Sequence, residues 1–239
     1  MTELEKVLRD DPRLPKLFDD PPDEVMRFIL DYGIFGMIGG KGSAKRFRGI
    51  IDGHHGSGEG YRRHNGDPGI LVHFSANVHP MALIEPPALI GPNCEVRAFS
   101  VIRGGTWLVE DCVVGSFCEI KNTLMLQGAR ASHLNYVGDS ILGAGVNLGA
   151  GMKLSNFRHD GGLISVRAQL DTDDPIETGL TKFGAILGDG VKVGCNSSLA
   201  PGTIIGANAL VYEATHLPSG VYEGDRVYYY HRDLTAHDR

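Results

Sequence analysis

No apolar run in this 239-residue chain approaches the roughly 20 residues that a membrane-spanning helix needs. No charged leader precedes an apolar stretch near the opening "MTELEKVLRDD". Neither export nor membrane insertion is signalled, so the cytoplasm is the expected location. An excess of positive charge is also missing: 23 Lys and Arg against 29 Asp and Glu give a net charge of -6, with an isoelectric point near 5.9. That balance argues against a general nucleic-acid binder, although a local cluster of bases can still hold a phosphate. The four cysteines, Cys94, Cys112, Cys118 and Cys195, include no CxxC pair. Neither a zinc site nor a disulfide framework is therefore suggested. Collagen's Gly-X-Y period is absent despite 33 glycines.

What the chain has instead is apolar residues in strict rhythm. With 42% hydrophobic and 22% charged residues, it reads as a globular protein able to bury a sizeable core in one large or two small domains. Every sixth residue from Val72 is aliphatic: Val72, Val78, Ile84, Ile90, Val96, Ile102, Leu108, Val114, Ile120 and Leu126. The rhythm returns at Leu142, Leu148 and Leu154, and again at Leu187, Val193, Leu199, Ile205, Val211 and Leu217. Four residues after the aliphatics runs a column of small residues, among them Ala76, Ala88, Cys94, Ser100, Thr106, Cys112 and Cys118. A period of six fits neither a 3.6-residue helix nor a free hairpin. It fits a short strand plus a tight corner, repeated as the rungs of a parallel β-helix whose aliphatics stack into one core. Cys94, Cys112 and Cys118 then serve as small core residues rather than reactive thiols.

Outside the repeat, residues 1–34 have the marks of a helix, with Pro and acids at the start of "PPDEVMRFILDYG", an apolar stripe of Val25, Phe28, Ile29 and Tyr32, and a Gly stop. This stretch is expected to cap the open end of the prism. Residues 36–68 read as Gly-rich, basic loops with a short strand. "GMIGGKGS" fails the phosphate-loop pattern because Gly, not Ser or Thr, follows Lys41. His54, His55 and His64 lack ligand spacing, and His73 and His79, six apart, fall on adjacent faces, so no metal is expected.

The rhythm stumbles twice. Leu126 and Leu142 are sixteen apart instead of eighteen, and the expectation is that this shortening swings His133, in the same stretch, out of the stack. After Leu154 the chain leaves the repeat until Leu187, and excursions of that length in a compact fold are usually functional or mobile.

The stretch from Phe99 to Gly151 carries "RGG", "GSFCEIK", "HLNYVGD" and "VNLGAG" in that order. This series resembles the acetyltransferase half of the bifunctional bacterial N-acetylglucosamine-1-phosphate uridyltransferase/glucosamine-1-phosphate acetyltransferases, within the hexapeptide-repeat acyltransferases. The uridyltransferase half has no counterpart here. The resemblance implies an all-β fold, a left-handed parallel β-helix with a short N-terminal helical extension. Its implied organisation is an extension over 1–68, the β-helix over 69–217 with an inserted loop at about 156–182, and a tail over 218–239. It also implies acetyl-CoA as cosubstrate, a phosphorylated amino sugar as acceptor, and a homotrimer.

By the same resemblance His133 falls on the catalytic base, Arg103 and Lys121 on bases that bind the sugar phosphate, and Tyr136, Asn147 and Asn156 on amino-sugar contacts. Lys182 matches a further lysine just before the repeat resumes. Ala150, Cys195 and Arg226 match acetyl-CoA contacts. The chemistry of these residue types is consistent with those roles. Acetyl transfer to a sugar amine requires a proton acceptor, and an imidazole with an ordinary pKa of about 6.5 can serve near neutral pH. A guanidinium fork and lysine point charges suit a phosphate dianion. The alternative is a non-catalytic module that binds a sugar phosphate or nucleotide sugar, in which Tyr212 and Glu213 obstruct the coenzyme A arm.

Overall fold

The computed structural model describes residues 17–19, 25, 49, 51, 60–167 and 175–230. The chain winds into a left-handed parallel β-helix of triangular section. Its three faces are sheets of nine, eight and seven strands. The first face runs from Ile70–His73 through Ala88–Ile90, Thr106–Leu108, Leu124–Met125, Ile141–Leu142, Ala185–Leu187 and Thr203–Ile205 to Gly220–Tyr222. Its ninth strand, Tyr61–Arg63, pairs antiparallel with Ile70–His73. The second face includes Val113–Ser116, Arg130–His133, Asn147–Leu148 and Lys192–Val193. The third includes Val101–Arg103, Glu119–Lys121, Tyr136–Gly138 and Lys153–Leu154.

The six-residue rhythm produces this prism because one inward side chain per face is enough to fill a narrow core. Ile90, Val96, Ile102, Leu108, Val114 and Ile120 all lie in one buried cluster, each contributing about 1.5–3 kcal/mol by leaving water. The small column is buried beside them, with Cys94, Cys112 and Thr106 at 0% exposure. Side chains there must be short because each corner presses on the next coil. Gly115, in "GSFCEIK", shows the limit: a Cβ on it would stand 1.6 Å from the Ser132 carbonyl oxygen.

The sixteen-residue gap has a different origin from the one expected. The inward residue of its coil is Met125, while Leu126 belongs to the outer cluster. Two sides, Ile120 to Met125 and Val137 to Leu142, are five residues long instead of six. Both shortenings lie at the corner between the third and first faces, where Asn122 and Asp139 adopt positive φ (47° and 49°). His133 is not displaced by them, and stays in ladder register with Ser116.

The coil also continues past 217: Gly220–Tyr222 pairs with Thr203–Ile205, and Val227–Tyr228 with Leu210–Val211. The excursion after Leu154 contains an antiparallel ribbon, Ser165–Val166 with Ile176–Glu177.

Unlike the other two, the first face is buried on both sides. Its outward residues Leu71, Leu89, Trp107, Leu124, Ile141, Ile186 and Ile204 form a second cluster with Leu17, Val25, Ile51, Ile164, Val166 and Phe183. The described parts of the N-terminal extension thus lie along a side of the prism, where a cap on its open end was expected. Residues 17–19 form a bend, and Val25 is helical, as are Gly49 and Ile51 in the stretch expected to be loop. The rest of residues 1–59 lies outside the described residues.

Candidate functional site

The corner between the second and third faces brings several of the candidate residues together. His133 ends its strand there, and its carbonyl accepts the Gly151 N–H at 3.0 Å. One coil on, the Ala150 carbonyl accepts the Asn196 N–H at 2.8 Å, and the Cys195 carbonyl then accepts the Ala214 N–H at 2.8 Å. The register therefore stacks His133, Ala150, Cys195 and Glu213 in one column, about 4.8 Å per step. His133 and Cys195 are exposed.

The turn after His133 is braced from inside. Leu134 has φ of 54°, and the buried Asn135 accepts the His133 N–H through Oδ1 (3.0 Å) while its Nδ2 donates to the Gly149 carbonyl (2.6 Å). The imidazole itself has no hydrogen-bond partner among the described residues.

The third face carries the cations. Lys121 sits in register with Arg103 on one side and Gly138 on the other, and Glu119 with Tyr136. Arg103 is held between two acids, with Nη1 donating to Glu119 at 2.8 Å and Nε 3.7 Å from Glu85. The Glu119 hydrogen bond keeps its guanidinium more firmly protonated than usual. Lys121 donates to both oxygens of Asp139, at 2.9 and 3.2 Å. Asn156 donates to Asp139 and also hydrogen-bonds the Tyr136 phenol. Burial first, then the nearby Asp139 and Glu119 carboxylates, pushes that phenol up from its ordinary pKa. Gly138 leaves the space this group needs, since a Cβ there would lie 2.6 Å from both the Tyr136 hydroxyl and Asn156 Nδ2.

Other candidates stand apart. Asn147 pairs with Arg130 and Lys192 in the middle of the second face, three residues and roughly 10 Å short of the Ala150 corner. Lys182 lies at the end of the insertion with Nζ 5.8 Å from the Phe157 ring centre, beside the backbone link from Phe183 N–H to the Asn156 carbonyl. Arg226 occupies the last coil and pairs with Glu223 at 2.9 Å. It belongs to the opposite edge of the second face from His133.

Sequence reasoning missed Glu85, Asn135 and Asp139. Asn135 and Asp139 are letters of the "HLNYVGD" run, and Glu85 stands eighteen residues before Arg103, so the coil length was the available signal. Among the described residues no group of three His, Cys, Asp or Glu side chains is placed to hold a metal ion. No described helix is long and apolar enough to cross a membrane.

No family model matches the chain. It is 37% identical over 146 residues to a bifunctional protein GlmU of Methanococcus vannielii, covering 59% of this chain and 33% of that relative. A bifunctional sugar-1-phosphate nucleotidylyltransferase/acetyltransferase of Sulfurisphaera tokodaii is 35% identical over 122 residues, covering 51% of this chain and 28% of the relative. The chain thus spans about a third of the length of the curated relatives it matches. Among solved structures, a UDP-N-acetylglucosamine acyltransferase of Francisella novicida overlays 61% of this chain and 60% of its own, at 14% identity and a TM-score of 0.34.

Proposed function

We propose, for a chain whose β-helix is related in sequence to part of the bifunctional GlmU proteins, that it is an acetyl-CoA-dependent N-acetyltransferase acting on an amino-sugar 1-phosphate in the cytoplasm. The observation that carries this reading is the adjacency of two sets across one corner. The column of His133, Ala150 and Cys195 stands at the edge where the third face begins, with Tyr136 and Glu119 next across the corner and Lys121 and Arg103 two residues further along their strands. An acceptor held by its phosphate at Lys121 and Arg103 presents its ring over Tyr136 and its amine toward the corner. His133 takes the ammonium proton there, and the freed amine attacks the thioester carbonyl of acetyl-CoA lying along the column past Ala150 and Cys195. The C–N bond forms, the C–S bond breaks, and the thiolate leaving coenzyme A takes up a proton.

Three copies are proposed to share these corners. The corner that carries His133 also exposes Met81, Phe99, Phe117 and Leu134, at 57, 48, 64 and 56%, and the two phenylalanine rings stack at 5.5 Å. An apolar ridge of this kind is expected to be covered in the working protein.

The position of Glu213 directly below Cys195 and the exposed Tyr212 beside it favour a second reading, a sugar-phosphate binder without donor access. A thiol-release assay with acetyl-CoA and glucosamine 1-phosphate separates the two. Turnover that falls by about 10²–10⁴-fold in His133→Ala supports the enzyme. Saturable sugar-phosphate binding with no thiol released supports the binder.

A further inference from the structure

Asp139 is the only charged residue among the described residues that is buried, at 3% exposure. A carboxylate so placed is costly unless its oxygens are fully engaged, and these are. Oδ1 and Oδ2 accept from Lys121 Nζ at 3.2 and 2.9 Å, Oδ1 accepts from Asn122 Nδ2 at 2.7 Å, and Oδ2 accepts from Asn156 Nδ2. Its backbone N–H donates to the Lys121 carbonyl at 2.9 Å, and its own carbonyl accepts the Gly184 N–H at 2.8 Å. One residue therefore joins three segments: the strand of Lys121, the start of the insertion at Asn156, and its return at Gly184.

We infer that Asp139 is a positioning residue for the acceptor, fixing the Lys121 ammonium and the Asn156 amide relative to each other and tying the insertion to both. The inference rests on the acetyl-transfer reading above. Lysine has three ammonium donors. Asp139 holds the ammonium through both its oxygens, and the partly exposed Lys121 keeps donor capacity for a phosphate. Through Asn156 the same carboxylate reaches the Tyr136 phenol, so the anion-binding and ring-binding parts of the site move as one body.

Asp139→Asn tests this with little disturbance to the backbone, because Asn tolerates the positive φ of 49° that Asp139 adopts. With acetyl-CoA and glucosamine 1-phosphate, the acceptor KM rises about tenfold or more while the KM for acetyl-CoA stays within about twofold. Asn156→Ala shifts the acceptor KM in the same direction. Adding Asp139→Asn to Lys121→Ala costs little beyond Lys121→Ala alone, since the two residues act as a unit. An unchanged acceptor KM, an equal shift in both KM values, or independent losses in the double variant overturns the inference. Calorimetric titration with glucosamine 1-phosphate alone keeps the two ideas separate. Wild-type binding without turnover defeats acetyl transfer, and weakening of that binding in Asp139→Asn still decides for the positioning role. Wild-type protein that binds no glucosamine 1-phosphate defeats both.

Discussion

Gly138 bears on ligand binding more than on folding. The groups a Cβ would strike are the ends of the Tyr136 and Asn156 side chains rather than backbone, so Gly138→Ala should fold and yet spoil the cradle. The expected outcome is about tenfold weaker glucosamine 1-phosphate binding by calorimetry, with a stability loss of about 1–3 kcal/mol for the loosened Asn156 bond to the buried Asp139. Tyr222 gives the opposite case, a residue with a stability role and no ligand. Burial pushes its phenol up to about 12, against an ordinary value of about 10. The unfolded chain thus loses this proton first as pH rises, and stability falls between those two values, by on the order of 1–2 kcal/mol. Tyr222→Phe should make that alkaline slope shallower in melts recorded from about pH 9 to 12, leaving the part that the raised phenols of Tyr136 and Tyr228 contribute. At this scale the sequence named His133, Lys121, Arg103 and Tyr136 as candidates from their motifs. It could not reveal that Asp139 is buried under Lys121, because a carboxylate's burial depends on which coil lies above and below it.

Corners show how sequence and strain diverge at the level of the element. Where the first face turns into the second, the positive-φ positions are Asn93, Asp111, Gly128, Gly145, Gly190, Asn208 and Asp225, residue types that visit this conformation at low cost. Where the second turns into the third, Gly151 and Asn196 again adopt it at low cost, but so do Phe99, Phe117, Leu134 and Ala214, with φ of 62°, 58°, 54° and 54°, at about 1–3 kcal/mol each. Nothing in folding a single coil rewards that choice, whereas covering the apolar ridge would. Phe117→Asn relieves the strain and removes the ridge's centre. It is expected to shift sedimentation velocity from trimer toward monomer while leaving the circular dichroism of the β-helix intact, and a wild-type monomer would defeat the trimer proposal. The hexad rhythm made the prism legible in advance, but not the two five-residue sides. Met125 and Leu126 are both apolar, and on a face buried on both sides hydrophobicity no longer tells inward from outward.

Across the whole molecule, the first face is where the parts outside the repeat come to rest. Asp189 is one fastening: it accepts the N–H groups of Asp19 (2.7 Å) and Ala144 (2.6 Å), and its own N–H donates to the Leu17 carbonyl (2.7 Å). Asp189→Ala removes both side-chain bonds, at about 1–3 kcal/mol for hydrogen bonds to a charged group. Limited proteolysis should then cut the N-terminal segment several times faster while the β-helix stays resistant, and an unchanged cleavage rate would show that the apolar cluster alone holds the segment. The amphipathic stripe around Val25 showed that this segment needed burial. It did not show against what; the available signal was that Leu71, Leu89, Trp107, Leu124 and Ile141 recur once per coil, each directly before an inward residue, which marks one face as apolar on both sides.

The insertion leaves the coil at Asn156 and returns at Phe183, and these two residues are themselves hydrogen-bonded, at 3.1 Å. Below them the ladder carries on as though nothing intervened, with Ile141 beside Ile186 and Lys153 beside Ser198. The loop is therefore a closed detour whose length is invisible to the rungs, although Ile164 and Val166 within it cover the first face. Doubling it would cost only about 0.6 kcal/mol of closure entropy, so evolution can rewrite the rim beside Tyr136 as long as that apolar cover is kept.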